Sequence, residues 1–508
     1  MGRCGAFVVS VLAIGLLAGQ SLADVTSAIY TTFTPKEDAT ALLHNPDMGW
    51  VLYENYPLDQ RPGGSSTLVN LPAETFPEVD EVALMFSWQD IEKSKDNYDF
   101  SNVDFAYDYW KSRGKRIQLR MSTESLLWWS NLTPASGKGI PDYVLDAVPA
   151  TQKQTRTCEG LSYVVVDARD PYYQDRLGRF LQAVGKHFRT RPVTLIDLRG
   201  FGLWGEWHSG YRYNTVDDRV EALRKIIDCW SANLRGYTLA ISYSYDPDGP
   251  PEYYSGSTQA YSEKDTAHYA DFLRYSAFDY ALTKPNIVLR RDGVGGAVHS
   301  NERRLIRDSF ETLPKGTMVC EFCGGYSAAK KGGDKWVQFM MDDALSLHPN
   351  YINLLGWQSE DALSFCRERP DLIKLGLLNM GYRLVPVEIS VPTRIQAGSP
   401  FEFRSLWANR AAGCATADFT MKLLLTPLNS RKTTLEVELG PLGTSKWTKG
   451  RYYAVNKQLA LGEVPPGAYD LSIELTDPRT GKPIELPLVD VSQPGHYRIG
   501  RVEIIGRP

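Results

Sequence analysis

The sequence predicts an α/β architecture: a (β/α)8 TIM barrel followed by a C-terminal antiparallel β-sandwich. Three observations predict it. Short apolar runs alternate with helical periods from about Asn45 to Gly376. Eight such runs can be counted there, the number a closed parallel barrel requires. Beyond about Arg383 the period switches from helical to two, with turn residues between the runs. The expected division is a signal peptide over 1–23, a barrel over 24–380 and a sandwich over 381–508.

The elements follow in order. Arg3 precedes an apolar run from Ala6 to Ala18, and Ser21-Leu22-Ala23 is a small-x-small cleavage site. The run is too short for a membrane span, so it reads as an export signal cleaved after Ala23, and the mature chain is expected to be secreted or periplasmic. No later stretch is long and apolar enough to span a membrane. Trp50–Tyr53 is the first strand and Val82–Phe86 the second. Ser101 and Asp104 make an S-x-x-D helix start, and Val103, Ala106, Tyr107 and Trp110 fall on one helical face. Arg116–Met121 is the third strand. A long insertion then runs from about Ser122 to Arg169.

Asp170-Pro171 restarts the rhythm as a helix cap with proline in the first turn. Leu177, Phe180, Leu181 and Val184 give that helix its apolar face. Val193–Leu198, Thr238–Ser242, Asn286–Leu289, Met318–Cys320 and Tyr351–Leu355 complete the eight strands, with helical stretches between them. A doubly wound open sheet would carry a glycine-rich loop after its first strand, and Trp50 to Asp59 has none. In the last region Tyr469, Leu471, Ile473 and Leu475 alternate with polar residues, as in a sandwich strand. Its strand faces are expected to pack against the barrel's side.

With 56 basic against 60 acidic residues the net charge is -4, which leaves no basic excess to neutralise a phosphate backbone. Nucleic acid is therefore excluded as a partner; oligomeric state is not readable. The seven cysteines are irregularly spaced, and the lone Cys320-x-x-Cys323 pair is weak ground for zinc or redox chemistry. Buried thiols or one local disulfide are expected. The 12 Trp, 28 Tyr and 18 Phe offer flat faces for sugar rings, though large cores also use them.

In a barrel of this kind chemistry lies beyond the C-terminal ends of the strands. Glu206 follows the fourth strand, Glu321 the seventh and Trp357 the eighth. Two carboxylates facing each other across a barrel mouth suit glycoside cleavage, where one protonates the leaving oxygen and the other attacks the anomeric carbon or activates water. The plain alternative is two separate salt-bridge partners. Trp204 and Trp207 flank Glu206 and can supply poorly solvated surroundings. His208, two residues on, could orient Glu206 or touch a substrate hydroxyl. Arg120 could grip an acidic sugar or pair with an acid inside the barrel, and Arg291-Asp292 after the sixth strand is ambiguous in the same way. Trp128 and Trp129 in the insertion could wall a sugar cleft or anchor the loop. Histidines scattered singly, without H-E-x-x-H, make no metal site, and no cofactor is called for.

The segment Phe86-Ser87-Trp88-Gln89-Asp90-Ile91-Glu92, then Tyr98-Asp99-Phe100, Asp104 and Trp110, resembles the second-strand region of clan GH-A glycoside hydrolases. β-Galactosidase-like members carry W-x-x-x-E-x-x-x-G-x-Y-D-F there, with glycine where this chain has Asn97. The resemblance covers the barrel; barrel plus sandwich also resembles secreted bacterial proteins of that build. It implies Glu206 as acid/base, Glu321 as nucleophile, Trp357 as the floor beneath the cleaved sugar, a carbohydrate substrate and a retaining mechanism. The clan usually has Asn immediately before the acid/base, where this chain has Gly205. That departure supports the alternative, a non-catalytic carbohydrate-binding protein on a degenerate barrel.

Overall fold

In the computed structural model the described residues are 29–54, 76, 78–124, 139–158, 161–208, 210–243, 276–296, 318–356, 359–428, 430, 435–462 and 464–506. Among the described residues, eleven strands precede the last region: β1 (Tyr30–Phe33), β2 (Gly49–Glu54), β3 (Val79–Ser87), β4 (Arg116–Ser122), β5 (Lys153–Cys158), β6 (Leu161–Val166), β7 (Leu195–Arg199), β8 (Leu239–Tyr243), β9 (Ile287–Val294), β10 (Met318–Phe322) and β11 (Tyr351–Asn353). Strands β2, β3, β4, β7, β8, β9, β10 and β11 close in that order into a barrel, each pair parallel. These are the eight runs expected from the sequence. The insertion after β4 folds in part as the antiparallel hairpin β5–β6.

The helical faces pack as their periodicity predicts. Val103, Ala106, Tyr107 and Trp110 are buried on the helix Ser101–Lys111, and Leu177, Phe180, Leu181 and Val184 on the helix Pro171–His187. Asp170 caps the second helix, accepting from the Tyr173 amide at 2.8 Å. The first has no side-chain cap, against expectation. The box forms one element earlier, where Ser87 and Asp90 bond reciprocally at the start of Trp88–Ile91.

That turn explains the chemistry of the second-strand motif. Trp88 stacks on Phe180 at 5.5 Å, and its indole N–H donates to Glu92 at 2.7 Å. Glu92 is fully buried and accepts from Arg176 of the helix Pro171–His187 at 2.5 Å. A buried carboxylate is tolerated only when so paired, so these residues tie β3 to a neighbouring helix rather than meet a ligand.

The last region is two packed antiparallel sheets. One holds β1, Leu384–Pro392, Pro400–Asn409 and Tyr452–Ala460. The other runs Arg394–Gln396, His496–Ile505, Gly467–Asp477, Thr420–Pro427 and Leu435–Pro441, in which the short Arg394–Gln396 alone pairs parallel. Phe403, Trp407, Met421, Leu471, Ile473 and Leu475 fill the space between. The chain departs from the expected division at its start, since β1 pairs with Leu384–Pro392 in the sandwich.

The sandwich meets the barrel's N-terminal end, not its side. Asn350, just before β11, bonds Cys414, and Asp47, just before β2, pairs with Arg479 at 2.6 Å. A cavity of about 610 Å³ lies between the two, lined by Thr194, Thr238 and Tyr351 on the barrel side and Thr416, Lys446 and Arg479 on the other. This leaves the C-terminal mouth uncovered by the sandwich.

Candidate active site

Side chains alternate along a strand, so each barrel strand aims every second residue inward. Near the C-terminal end those residues are Tyr53, Arg120, Asp197, Arg199, Arg290, Asp292 and Glu321. All are nearly or fully buried. Charge this deep requires internal pairing, and the layer supplies it. The Asp197 carboxylate lies 3.0 Å from Arg199, 3.2 Å from Arg290 and 3.4 Å from Arg120. Glu321 Oε2 accepts from the Tyr53 hydroxyl at 2.9 Å and lies 2.9 Å from Arg120 and 3.7 Å from Arg199. Arg290 donates to the same oxygen and, at 2.8 Å, to Asp292. Among the described residues, Glu321 Oε1 is buried with no hydrogen-bond partner.

Glu206 reaches this layer from a loop. It stands seven residues beyond Arg199, on a tight reversal in which the Leu203 amide bonds the His208 carbonyl and the Trp207 amide bonds the Phe201 carbonyl. Trp204, Gly205 and Trp207 all have left-handed φ, of 54°, 67° and 67°. Such φ values are costly for bulky residues and persist only where the surroundings impose them. Two buried groups do so: Arg199 donates to the Trp204 carbonyl, and Glu124 accepts from the Gly202 amide. The position also explains Gly205. A Cβ there would stand 2.3 Å from the Arg199 Cβ, so asparagine cannot occupy it.

The loop returns Glu206 to the mouth. Its Oε1 lies 3.2 Å from Arg199, and its Oε2 lies 3.5 Å from His208 Nε2. One oxygen each from Glu206, Asp292 and Glu321 lie within 4.8 Å of one another. Such a triangle of carboxylates could hold a divalent cation; here Arg120, Arg199 and Arg290 stand against it. Burial opposes ionisation of Asp292. The guanidiniums of Arg290, Arg199 and Arg120, with a hydrogen bond from Glu206, outweigh that and hold its carboxyl down at about 2. Burial, with Arg199 and Arg290 as like-charged neighbours, pushes Arg120 down to about 9. Burial also lifts Glu124 to about 7, against the backbone amides it accepts from.

The structure thus brings together Glu206, Glu321, His208 and Arg120 of the residues singled out from sequence. Glu206 and His208 meet although the segment is not extended. Arg120 is paired inside the barrel with Asp197 and Glu321. Arg291 is not brought in. It sits in register with Cys320, and that cysteine belongs to the layer packed beneath the helix Asp334–Ser346. Arg290 and Asp292, its neighbours, face the mouth instead. Trp204 packs toward the hairpin residues Tyr163 and Val165, with its ring edge-on to His208 at 5.6 Å. Trp357, Trp128 and Trp129 lie outside the described residues. Cys320 is buried and Cys323 exposed, both free thiols. Sequence reading missed Asp197, Arg199 and Arg290, and of the pair Arg291-Asp292 it is Asp292 that reaches the mouth. The signal was there as charges two apart, Asp197/Arg199 and Arg290/Asp292, within otherwise apolar strands.

No protein-family model matches the chain, and no curated protein matches it. Among solved structures it is similar to the catalytic domain of a β-amylase from Paenibacillus polymyxa, at 10% identity and a TM-score of 0.43, over 64% of this chain and 99% of that one. It is also similar to an exo-β-1,4-mannosidase from Opitutaceae bacterium strain TAV5, at 13% identity and a TM-score of 0.37, over 60% of this chain and 51% of the other. The fold itself rests on the closed order of the eight parallel strands.

Proposed function

We propose that the protein is a secreted glycoside hydrolase that cleaves β-glycosidic bonds in a polysaccharide or its oligosaccharides with retention of configuration. One observation carries the reading: Glu206 and Glu321 present carboxylate oxygens within 4.8 Å at the barrel's C-terminal mouth. Retaining enzymes hold their two carboxyl groups about 5–5.5 Å apart, whereas inverting ones leave about 6.5–9.5 Å for a water. The unpartnered Oε1 of Glu321 is the attacking atom. Its other oxygen is held by Tyr53, Arg120 and Arg290, which fixes the carboxylate's direction. Glu206 gives its proton to the departing oxygen, then takes one from the water that releases the sugar.

Proton NMR of the first-formed sugar, on a panel of β-glucan, β-mannan and β-galactan oligosaccharides, tests the reading. The retained anomer is expected. An inverted anomer would recast Glu321 as a general base. The full burial of Glu321 favours a second reading, a carbohydrate-binding protein without turnover. That reading predicts sugar binding with no product on any member of the panel.

A further inference from the structure

The reaction proposed at the mouth leaves the other end of the barrel without a part. There the cavity between barrel and sandwich holds about 610 Å³, inside the range of small-molecule sites, about 300–1,000 Å³. Its wall is built from both sides. Leu195, Val288 and Tyr351 come from barrel strands, and Ala415, Lys446 and Arg479 from the sandwich. The hydrogen-bonding groups still free in that wall decide what fits. The Asp47 carboxylate is engaged, accepting from Thr416 and pairing with Arg479 at 2.6 Å. Arg479 is engaged in turn, since it also meets Asp477 at 2.7 Å. Asn286 donates to the Leu234 and Tyr237 carbonyls and accepts from Ser231. Tyr351 is different. It is 1% exposed, and among the described residues its hydroxyl is buried with no hydrogen-bond partner. A buried polar group left so costs free energy, and a hydroxyl in a cavity wall can be met by what fills the cavity. Lys446 is exposed, and among the described residues its ammonium has no ion pair.

Both free groups are donors, so the ligand they fit brings oxygens, with negative charge for the ammonium. The rest of the wall mixes the hydroxyls of Thr194 and Thr238 with small apolar side chains, which suits the hydroxyls and C–H edges of a sugar. We propose that this cavity is a second ligand site, for a small polyhydroxylated carboxylate such as a sugar acid. Lys446 meets the carboxylate and Tyr351 a hydroxyl. The site lies at the opposite end of the barrel from Glu206 and Glu321, so it stands whether or not the mouth turns over a glycoside. A molecule seated here touches barrel and sandwich at once. Its binding therefore holds the two together and is read as added stability of the folded chain.

Calorimetric titrations and melting curves of the full chain test the site. Galacturonate, a ring, and gluconate, an open chain, are the probes, with galactose and inorganic phosphate as comparators. One or both acids should bind saturably and raise the melting temperature as their concentration rises. Galactose lacks the charge and phosphate the hydroxyls, so each should bind about tenfold or more weakly than the better acid. Lys446→Gln and Tyr351→Phe should each weaken that acid by about tenfold, while Glu321→Gln should leave its affinity unchanged. Tyr351→Phe carries a second expectation. Without ligand it should melt no lower than the wild type, because the hydroxyl it removes has no partner to lose. A melting temperature that neither acid moves, up to high millimolar concentration, overturns the proposal, and so does phosphate binding as tightly as the acids. Binding that survives Lys446→Gln and Tyr351→Phe but is lost in Glu321→Gln places the acid at the mouth and overturns it too. A ligand-free Tyr351→Phe that melts lower shows the hydroxyl to be partnered within the fold and removes the ground for the site. Lys446 is exposed, so its variant tests binding independently of how Tyr351→Phe folds.

Discussion

The two ends of the barrel both bury charge, and they do it differently. At the N-terminal end the charges form small separate clusters, Arg116 with Glu81 and Asp80, and Arg479 with Asp47 and Asp477. Glu81 meets Arg116 at 2.6 Å, and Asp47 meets Arg479 at 2.6 Å across the sandwich contact. At the C-terminal mouth Arg120, Arg199 and Arg290 are shared among Asp197, Glu206, Asp292 and Glu321 in one connected network. A small cluster closed within the fold serves stability, whereas several acids and bases gathered at a barrel's mouth are the arrangement that acid–base chemistry uses.

The contrast predicts that changes at the mouth alter turnover and changes at the far end alter stability. Glu321→Gln should fold as the wild type and lose about a thousandfold or more in turnover, since it keeps the shape and removes the charge of the proposed nucleophile. Steady-state rates on aryl β-glycosides, with circular dichroism as the folding control, measure it. Glu206→Ala should lose about 10²–10⁴ on substrates with poor leaving groups and far less on good ones; equal losses on both classes would break the assignment.

At the other end, Arg116→Met strands the buried Glu81 carboxylate, which burial already pushes above its ordinary range. It should cost about 3–5 kcal/mol in denaturant unfolding while rates per folded molecule stay unchanged. A loss of turnover at constant stability would erase the distinction between the ends.

The smallest effect is one of pH. Glu124 holds the Gly202 amide and is lifted from 4.5 to about 7. The folded chain therefore binds that proton more tightly than the unfolded one. Its contribution is full below 4.5 and falls as pH rises toward about 7, by about 3 kcal/mol in all. Melting temperatures of Glu124→Gln should lack that fall, and a variant that parallels the wild type across the window would refute the assignment.

Much of this was legible in the sequence for physical reasons. The eight strands announce themselves as apolar runs, and the helices by faces such as Val103, Ala106, Tyr107 and Trp110. Glu206 and Glu321 were found because a barrel's chemistry gathers beyond its strand ends. Which of Arg290, Arg291 and Asp292 faces the mouth was not legible. β9 is buried on both sides, from the barrel interior to the helical layer, so polarity does not fix its parity, and one residue's error turns the side chain outward. The return of Glu206 through a left-handed loop was hidden too, although Gly202 and Gly205 hinted at a backbone that tolerates no Cβ. The docking of β1 left no trace at all, because its partner lies more than three hundred residues away.

That partnership makes the barrel one long excursion between neighbouring strands of a single sheet. Thr31 bonds Thr393 across a separation of 362 residues. The entropy of closing a loop grows only slowly with its length, so the seam is cheap at equilibrium. In time it is expensive, since contacts between distant residues form slowly. The chain's first strand must wait for nearly all the rest to be made. Until it docks, Leu384–Pro392 is an open edge, the kind of edge on which another chain can pair. The moment of greatest exposure to aggregation therefore comes late, when the barrel is complete and only its opening residues are still unplaced.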